Sequence, residues 1–195
     1  MKFDRRLPRT TNPPVSQPHL SAHLREYPGE SAYELEQMAQ SAAYEIEDLA
    51  QVALITQWID VETDGPHLPG SPICLPIGPV LSTAAVTVQF EEPGQSPVAL
   101  APSQYQLRGG MRPSLRLIDD GQLPMALQAG STILLIAYEA GFGPDAATVP
   151  ADLQHAILDQ AASAYDQRGV AQRGDGTWLS PHAARIIGKY RGVRA

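Results

Sequence analysis

A single cysteine, Cys74, leaves this chain without an internal disulfide framework or a cysteine-based zinc site. That usage fits a reducing compartment. No apolar run approaches the roughly 20 residues that a membrane-spanning helix needs, so no membrane partner is expected. The first residues, MKFDRRLPRTTNPP, are basic but lack an apolar stretch, and do not read as a secretory signal. No G-x-S-x-G elbow supports a serine hydrolase. No Walker-type or G-x-G-x-x-G loop offers a phosphate cradle, because Gly141-x-Gly143 runs straight into Pro144 and reads as a turn. Positive charge is nearly missing from the middle of the chain: residues 26–166 hold only Arg108, Arg112 and Arg116 against 19 acids.

What is present is a chain of 195 residues, 43% hydrophobic, with 18 prolines and 16 glycines. The length suits one domain, or a compact core with a smaller appendage. The prolines and glycines exclude a coiled-coil or all-helical rod, since both break regular elements. The net charge of −7 conceals a division. Residues 1–25 carry +4, residues 26–166 carry −16, and residues 167–195 carry +5. A body so acidic repels phosphate and disfavours nucleic acid as a bound ligand.

The hydrophobic pattern orders the elements. Residues 1–15, with the Asn12-Pro13-Pro14 break, read as an extended N-terminal arm. A short helix is expected from Ser16, with Pro18 in its first turn, stopping near Tyr27-Pro28-Gly29. Ser31 and Glu34 form a capping box opening a long helix to Ala50, with Leu35, Met38, Ala39, Ala42, Ile46 and Leu49 on one stripe. Glu47 and Asp48 near its end oppose the helix dipole, which predicts fraying or a partner there. From residue 54 the period becomes two. Strands are expected at 54–62, 73–75, 84–90, 98–100, 105–107, 114–118 and 132–140, separated by turns such as Glu91-Glu92-Pro93-Gly94 and Asp119-Asp120-Gly121. The ILLIA run in the last predicts burial on both faces. Pro150 opens a second long helix, and Ser180-Pro181 opens a last short one.

The fold class is therefore α+β: a helical bundle of two long and two short helices with an inserted small antiparallel β-sandwich or barrel. Residues 16–53 and 150–168 would form the helical core and 54–144 the β-module. Residues 169–195 would supply a loop, a short helix and a tail for partner docking.

Little in this pattern carries chemistry. His19 and His23 have the i, i+4 spacing of zinc ligands, with Glu26 nearby, but no third ligand is evident and they read as a solvated helix face. His155 and Asp159 repeat that spacing. Asp119-Asp120 is ordinary turn chemistry before a glycine. Cys74 sits in an apolar strand and reads as an inert buried thiol. Trp58 and Trp178 read as core or interface anchors. No catalytic, cofactor-binding or metal-ligating residue is assigned. A small metal-dependent hydrolase using His19, His23 or Asp119-Asp120 is the alternative from another functional class.

An ordered set of short motifs resembles one known family. Pro14-Val15-Ser16 leads into the helix ending His23-Leu24-Arg25. Ala53-Leu54-Ile55-Thr56-Gln57-Trp58 is similar to the family's helix-to-strand junction. Leu75-Pro76, Pro79-Val80, Ser103-x-Tyr105 and Tyr138-x-Ala140-Gly141-Phe142-Gly143 follow. Val149-Pro150-x-x-Leu153-x-x-Ala156-Ile157 opens the penultimate helix, and Tyr190-Arg191 closes the last. In this order, from about residue 14 onward, they resemble the head–tail connector (adaptor) proteins of long-tailed bacteriophages, which occur also in prophages and gene transfer agents.

The resemblance implies a non-enzymatic protein without cofactor, forming a homo-oligomeric ring of about twelve beneath the portal. It would connect the DNA-filled capsid to the stopper and tail at the neck of a particle assembled in the bacterial cytoplasm. Another neck component, a stopper or tail-completion protein, is the alternative within that setting. DNA would pass through the ring without sequence-specific binding, and charge then distributes the roles. Glu34, Glu36, Glu45, Glu47 and Asp48 are the expected channel-facing acids. Trp178, Ile186, Ile187 and Tyr190 are the expected apolar anchors for portal docking, with Arg185, Lys189, Arg191 and Arg194 as the partnering charges. Deleting residues 180–195 is expected to leave a folded protein that no longer binds portal.

Overall fold

The computed structural model describes residues 2–5, 13–24, 32–119, 123–130, 132–166 and 179–191. In chain order the elements are β1 (Lys2–Arg5), α1 (Gln17–Leu24), α2 (Ala32–Ala50), β2 (Gln57–Asp64), β3 (Pro72–Cys74), β4 (Val86–Glu91) and β5 (Val98–Ala99). They continue with β6 (Tyr105–Arg108), β7 (Ser114–Leu117), α3 (Met125–Ala129), β8 (Ile133–Ala140), α4 (Ala151–Asp166) and α5 (Pro181–Tyr190). The class is α+β, as the change of hydrophobic period predicts. The chain divides into two compact units, one built on the strands and one on the long helices.

The helical unit packs α1, α2, α4 and α5 around one core. Leu35, Ala39, Ala42, Ala43 and Ile46 of α2 meet Leu153, Ala156, Ile157 and Ala161 of α4, with Leu20 of α1 and Ile186 and Ile187 of α5. The many alanines let the helix axes approach closely. Gln160, 5% exposed, joins three elements. Its Nε2 donates to Glu45 Oε2 at 2.9 Å, and its Oε1 accepts from the Ser180 backbone N–H at 2.8 Å. Ser180 then caps α5 by accepting from the Ala183 N–H at 3.0 Å, with Pro181 at the first helical position.

The β-unit holds two antiparallel sheets. One has five strands in the order β1-β2-β8-β4-β5, the other three in the order β3-β7-β6. Alternation gives each sheet a buried and an outer face. Ile59, Val61, Val88, Phe90, Leu134, Ile136 and Tyr138 are buried from the first, and Leu107, Leu115 and Leu117 from the second. The Tyr138 hydroxyl donates to the Ile77 carbonyl at 2.9 Å and accepts from the Ile77 N–H at 3.2 Å, which satisfies a buried phenol. The segment inserted between α2 and α4 begins and ends on paired strands, because Gln57 lies opposite Ala140. Just beyond them, the Phe142 N–H donates to the Leu54 carbonyl at 3.3 Å.

Several expectations are corrected. The first strand of the β-module starts at Gln57, not Leu54, because Leu54 and Ile55 are buried in the helical core. β8 is buried on one face only; as the central strand it keeps its alternate residues half-buried or exposed. The end of α2 is closed, not frayed. Gln51 takes a left-handed φ of 56°, and the Val52 N–H donates to the Glu47 carbonyl at 3.1 Å, a Schellman closure. The N-terminal arm contributes β1, whose residues pair with Ile59–Glu62 of β2. Cys74 is exposed, since it shares the outer face of the small sheet with its partner Ser114. Helix α3 was not expected, although Pro124 before it and the left-handed Gly130 after it are ordinary boundary signals. The Ser31 cap, Glu26, Asp120 and the 169–177 loop lie outside the described residues.

Candidate interaction surfaces

The surface of α5 is set by its helical period. Ala183, Ile186 and Ile187 point into the core, while Ala184, Arg185, Gly188 and Lys189 face solvent, as does Arg191 just beyond. Ile186 and Ile187, at 3% and 5% exposure, are therefore not free anchors for a partner: they hold α5 to its own chain. This also corrects the expectation for removal of 180–195, which would strip the helical core. Trp178 and Arg194 lie outside the described residues.

Asp152, in the first turn of α4, anchors the far end of α5. One carboxylate oxygen accepts from Lys189 Nζ at 2.6 Å, the other from the Tyr190 hydroxyl at 2.8 Å and from the Leu153 N–H at 3.0 Å. Burial alone would raise the Asp152 carboxyl, but the hydrogen bonds from Lys189 and Tyr190 and the Lys189 charge hold it below the usual carboxylate range. Burial, followed by the hydrogen bond and charge of Asp152, pushes the Tyr190 phenol up to about 12. Tyr190 also meets Phe142 edge-to-face, with ring centroids 6.4 Å apart. Among the docking candidates, Tyr190 and Lys189 thus already bond within the chain. Arg185 and Arg191 remain as exposed charges, Arg185 lying 3.4 Å from His182 Nδ1.

The acids of α2 do not form one stripe. At 100° per residue, Glu34, Glu45 and Asp48 share one flank and Glu36 and Glu47 the other. Glu34, Glu36 and Asp48 are exposed and Glu45 is half-buried against Gln160. Glu47 is 4% exposed, and its Oε1 accepts from the Leu54 N–H at 2.7 Å. It is removed from the channel-facing set: its carboxylate stabilises the turn out of α2 by satisfying a buried donor.

Among the described residues, those of the enzyme alternative form no metal-binding group. His19, His23 and Asp119 are each exposed, and no group of three or more His, Cys, Asp or Glu poised for a metal occurs among the described residues. No described helix is long and apolar enough to cross a membrane.

No protein-family profile matches the chain, and neither does any curated protein. Solved structures do. A chain from the neck of an empty gene transfer agent particle, computed with C6 symmetry, aligns with a TM-score of 0.73 over 100% of this chain and 97% of its own length. The fold is that of a gene transfer agent neck chain. A chain from the virion of the native gene transfer agent particle gives a TM-score of 0.76 at 23% identity, and one from the native neck computed with C12 symmetry gives 0.68 at 24%. Both match with the same coverage. At such identities the likeness is one of fold, and it extends over the whole of this chain.

Proposed function

We propose that this chain is a structural, non-catalytic neck component of a gene transfer agent or phage-like particle. The observation that carries the reading is the fold match to neck chains, which covers 100% of this chain and 97% of theirs. Its role is that of the head–tail adaptor: a ring of about twelve copies beneath the portal, linking the capsid to the stopper and tail and enclosing the DNA path. The C12 symmetry of the native neck computed for a matched structure supports that copy number.

The charge layout supports the same role. Glu34, Glu45 and Asp48 give one flank of α2 an acidic surface that supplies no cation to replace the counterions of a passing duplex, while Glu36 lies on the other flank. Arg185 and Arg191 give the end of α5 a basic surface for acids on the portal. The particle neck, assembled in the bacterial cytoplasm, is the corresponding location.

The experiment is negative-stain imaging of the protein with purified portal rings, alongside co-sedimentation. A second ring seated on the portal is expected, and it should be lost in Arg185→Glu/Arg191→Glu at unchanged thermal stability. Density at the tail-side end of an assembled neck, with none at the portal, would refute the adaptor assignment in favour of another neck component.

A further inference from the structure

The two sheets of the β-unit carry opposite charge on their outer faces. On the five-stranded sheet the register sets outward residues in rows: Asp60 opposite Ala137, Glu62 opposite Leu135, and Asp64 opposite Ile133; on the other side of β2, Asp4 stands opposite Asp60 and Lys2 opposite Glu62, so acids still outnumber the one lysine on this face. Glu91 continues the last row across β8, and Glu139 stands opposite Trp58. This face is a shallow trough of about 310 Å³, with Asp60 and Glu62 along one side, Thr87 and Gln89 along the other, and Leu135 and Ala137 as its floor. On the three-stranded sheet, Arg108 and Arg116 face outward from β6 and β7, on either side of a turn that carries exposed Met111 and Arg112. All three arginines of residues 26–166 are thus gathered on one hairpin.

We propose that the acidic trough takes the β6–β7 hairpin of a second copy of this chain. The chemistry matches group by group: guanidinium groups meet carboxylates, and the Met111 side chain meets the aliphatic floor. The hairpin tip is already rigid. The Gly110 N–H and carbonyl pair with Val80 at 2.7 and 3.0 Å. A Cβ at Gly109 would lie 2.7 Å from the Val80 carbonyl oxygen, so only glycine allows this close packing. A preformed tip loses little freedom on docking. The trough and the hairpin are different surfaces, so the contact is head-to-tail and repeats from copy to copy, which is what closure of a ring requires. The inference rests on the ring reading above and names the contact that builds the ring.

The test is sedimentation velocity at low and high salt on full-length protein, with portal rings added in a parallel series. Glu62→Lys/Asp64→Lys and Arg108→Glu/Arg116→Glu should each weaken self-association about 10-fold or more. An equimolar mixture of the two should restore it, because each reversed face now meets a reversed partner in an alternating ring. Recovery in the mixture also shows that both variants are folded. Self-association that survives in both reversed variants as in wild type, or a mixture that fails to recover, would overturn this interface while leaving the ring reading intact. A wild-type protein that stays monomeric with and without portal rings would overturn the ring reading and this proposal with it.

Discussion

Replacing Ile187 by alanine separates a core role from a docking role for α5. The side chain is 5% exposed and packs in the helical core. Truncation removes three carbons, worth roughly 2.4 kcal/mol at about 0.8 kcal/mol each. The residual cavity adds to this, and such substitutions cost about 2–5 kcal/mol in total. For a chain of this length each kcal/mol lowers Tm by roughly 2–4 °C, so a loss near 3 kcal/mol shifts it by about 6–12 °C. Ile186→Ala should behave alike. Arg185→Ala, on the solvent face of the same helix, should stay within about 0.5 kcal/mol. The assay is thermal and urea unfolding followed by circular dichroism, with portal co-sedimentation measured on the same samples. If Ile187→Ala unfolds like wild type and loses portal binding, the packing argument is wrong and the side chain is a docking anchor.

Other outcomes follow from buried polar groups and from titration. Glu47→Ala leaves the buried Leu54 N–H without its carboxylate and should cost about 1–3 kcal/mol in urea unfolding, whereas Glu36→Ala on the surface should be near neutral. The phenol of Tyr190 should titrate at about 12 by ultraviolet absorbance, and its midpoint should fall toward the ordinary value near 10 in Asp152→Asn. Because the folded phenol is raised, its contribution to stability is complete below pH about 10 and is lost as pH rises through about 12. Asp152 has the opposite sign. Its lowered carboxyl stabilises α5 above the usual carboxylate range, and that contribution is lost as pH falls through the folded value. Its exposed pair with Lys189 should contribute no more than about 1 kcal/mol in a double-mutant cycle.

Elements with a strong period were legible in the sequence. The stripe from Leu35 to Ala50 and the alternation in Val86–Phe90 each follow from burying one face. Less legible was whatever depends on where the chain turns. Leu54 and Ile55 have the β-branched and apolar character of the strand that follows, but fill the helical core. Glu47 looks like its neighbours Glu45 and Asp48; only the return of the chain at Leu54 buries it. For α5, the apolar positions Ile186 and Ile187 fit an interface and a core equally well in sequence, and packing against α2 and α4 decides between them. The opposed charges of the two sheets were hidden because charge along a chain averages over both faces of a strand. The segment from 26 to 166 reads as uniformly acidic until alternation sorts its residues by face.

The pairing of Gln57 with Ala140, extended by the bond from Phe142 to Leu54, bears on how such a chain diversifies. The ends of the segment 57–140 are held side by side, so the helical unit need not close a long flexible loop, and the entropy of that closure is met inside the β-unit itself. To the helices, everything between these strands is equivalent to a tight hairpin. Sequence and size can therefore change within the segment 57–140 while the helical frame keeps the same two junctions to it, which separates selection on what that segment touches from selection on what keeps the helices together.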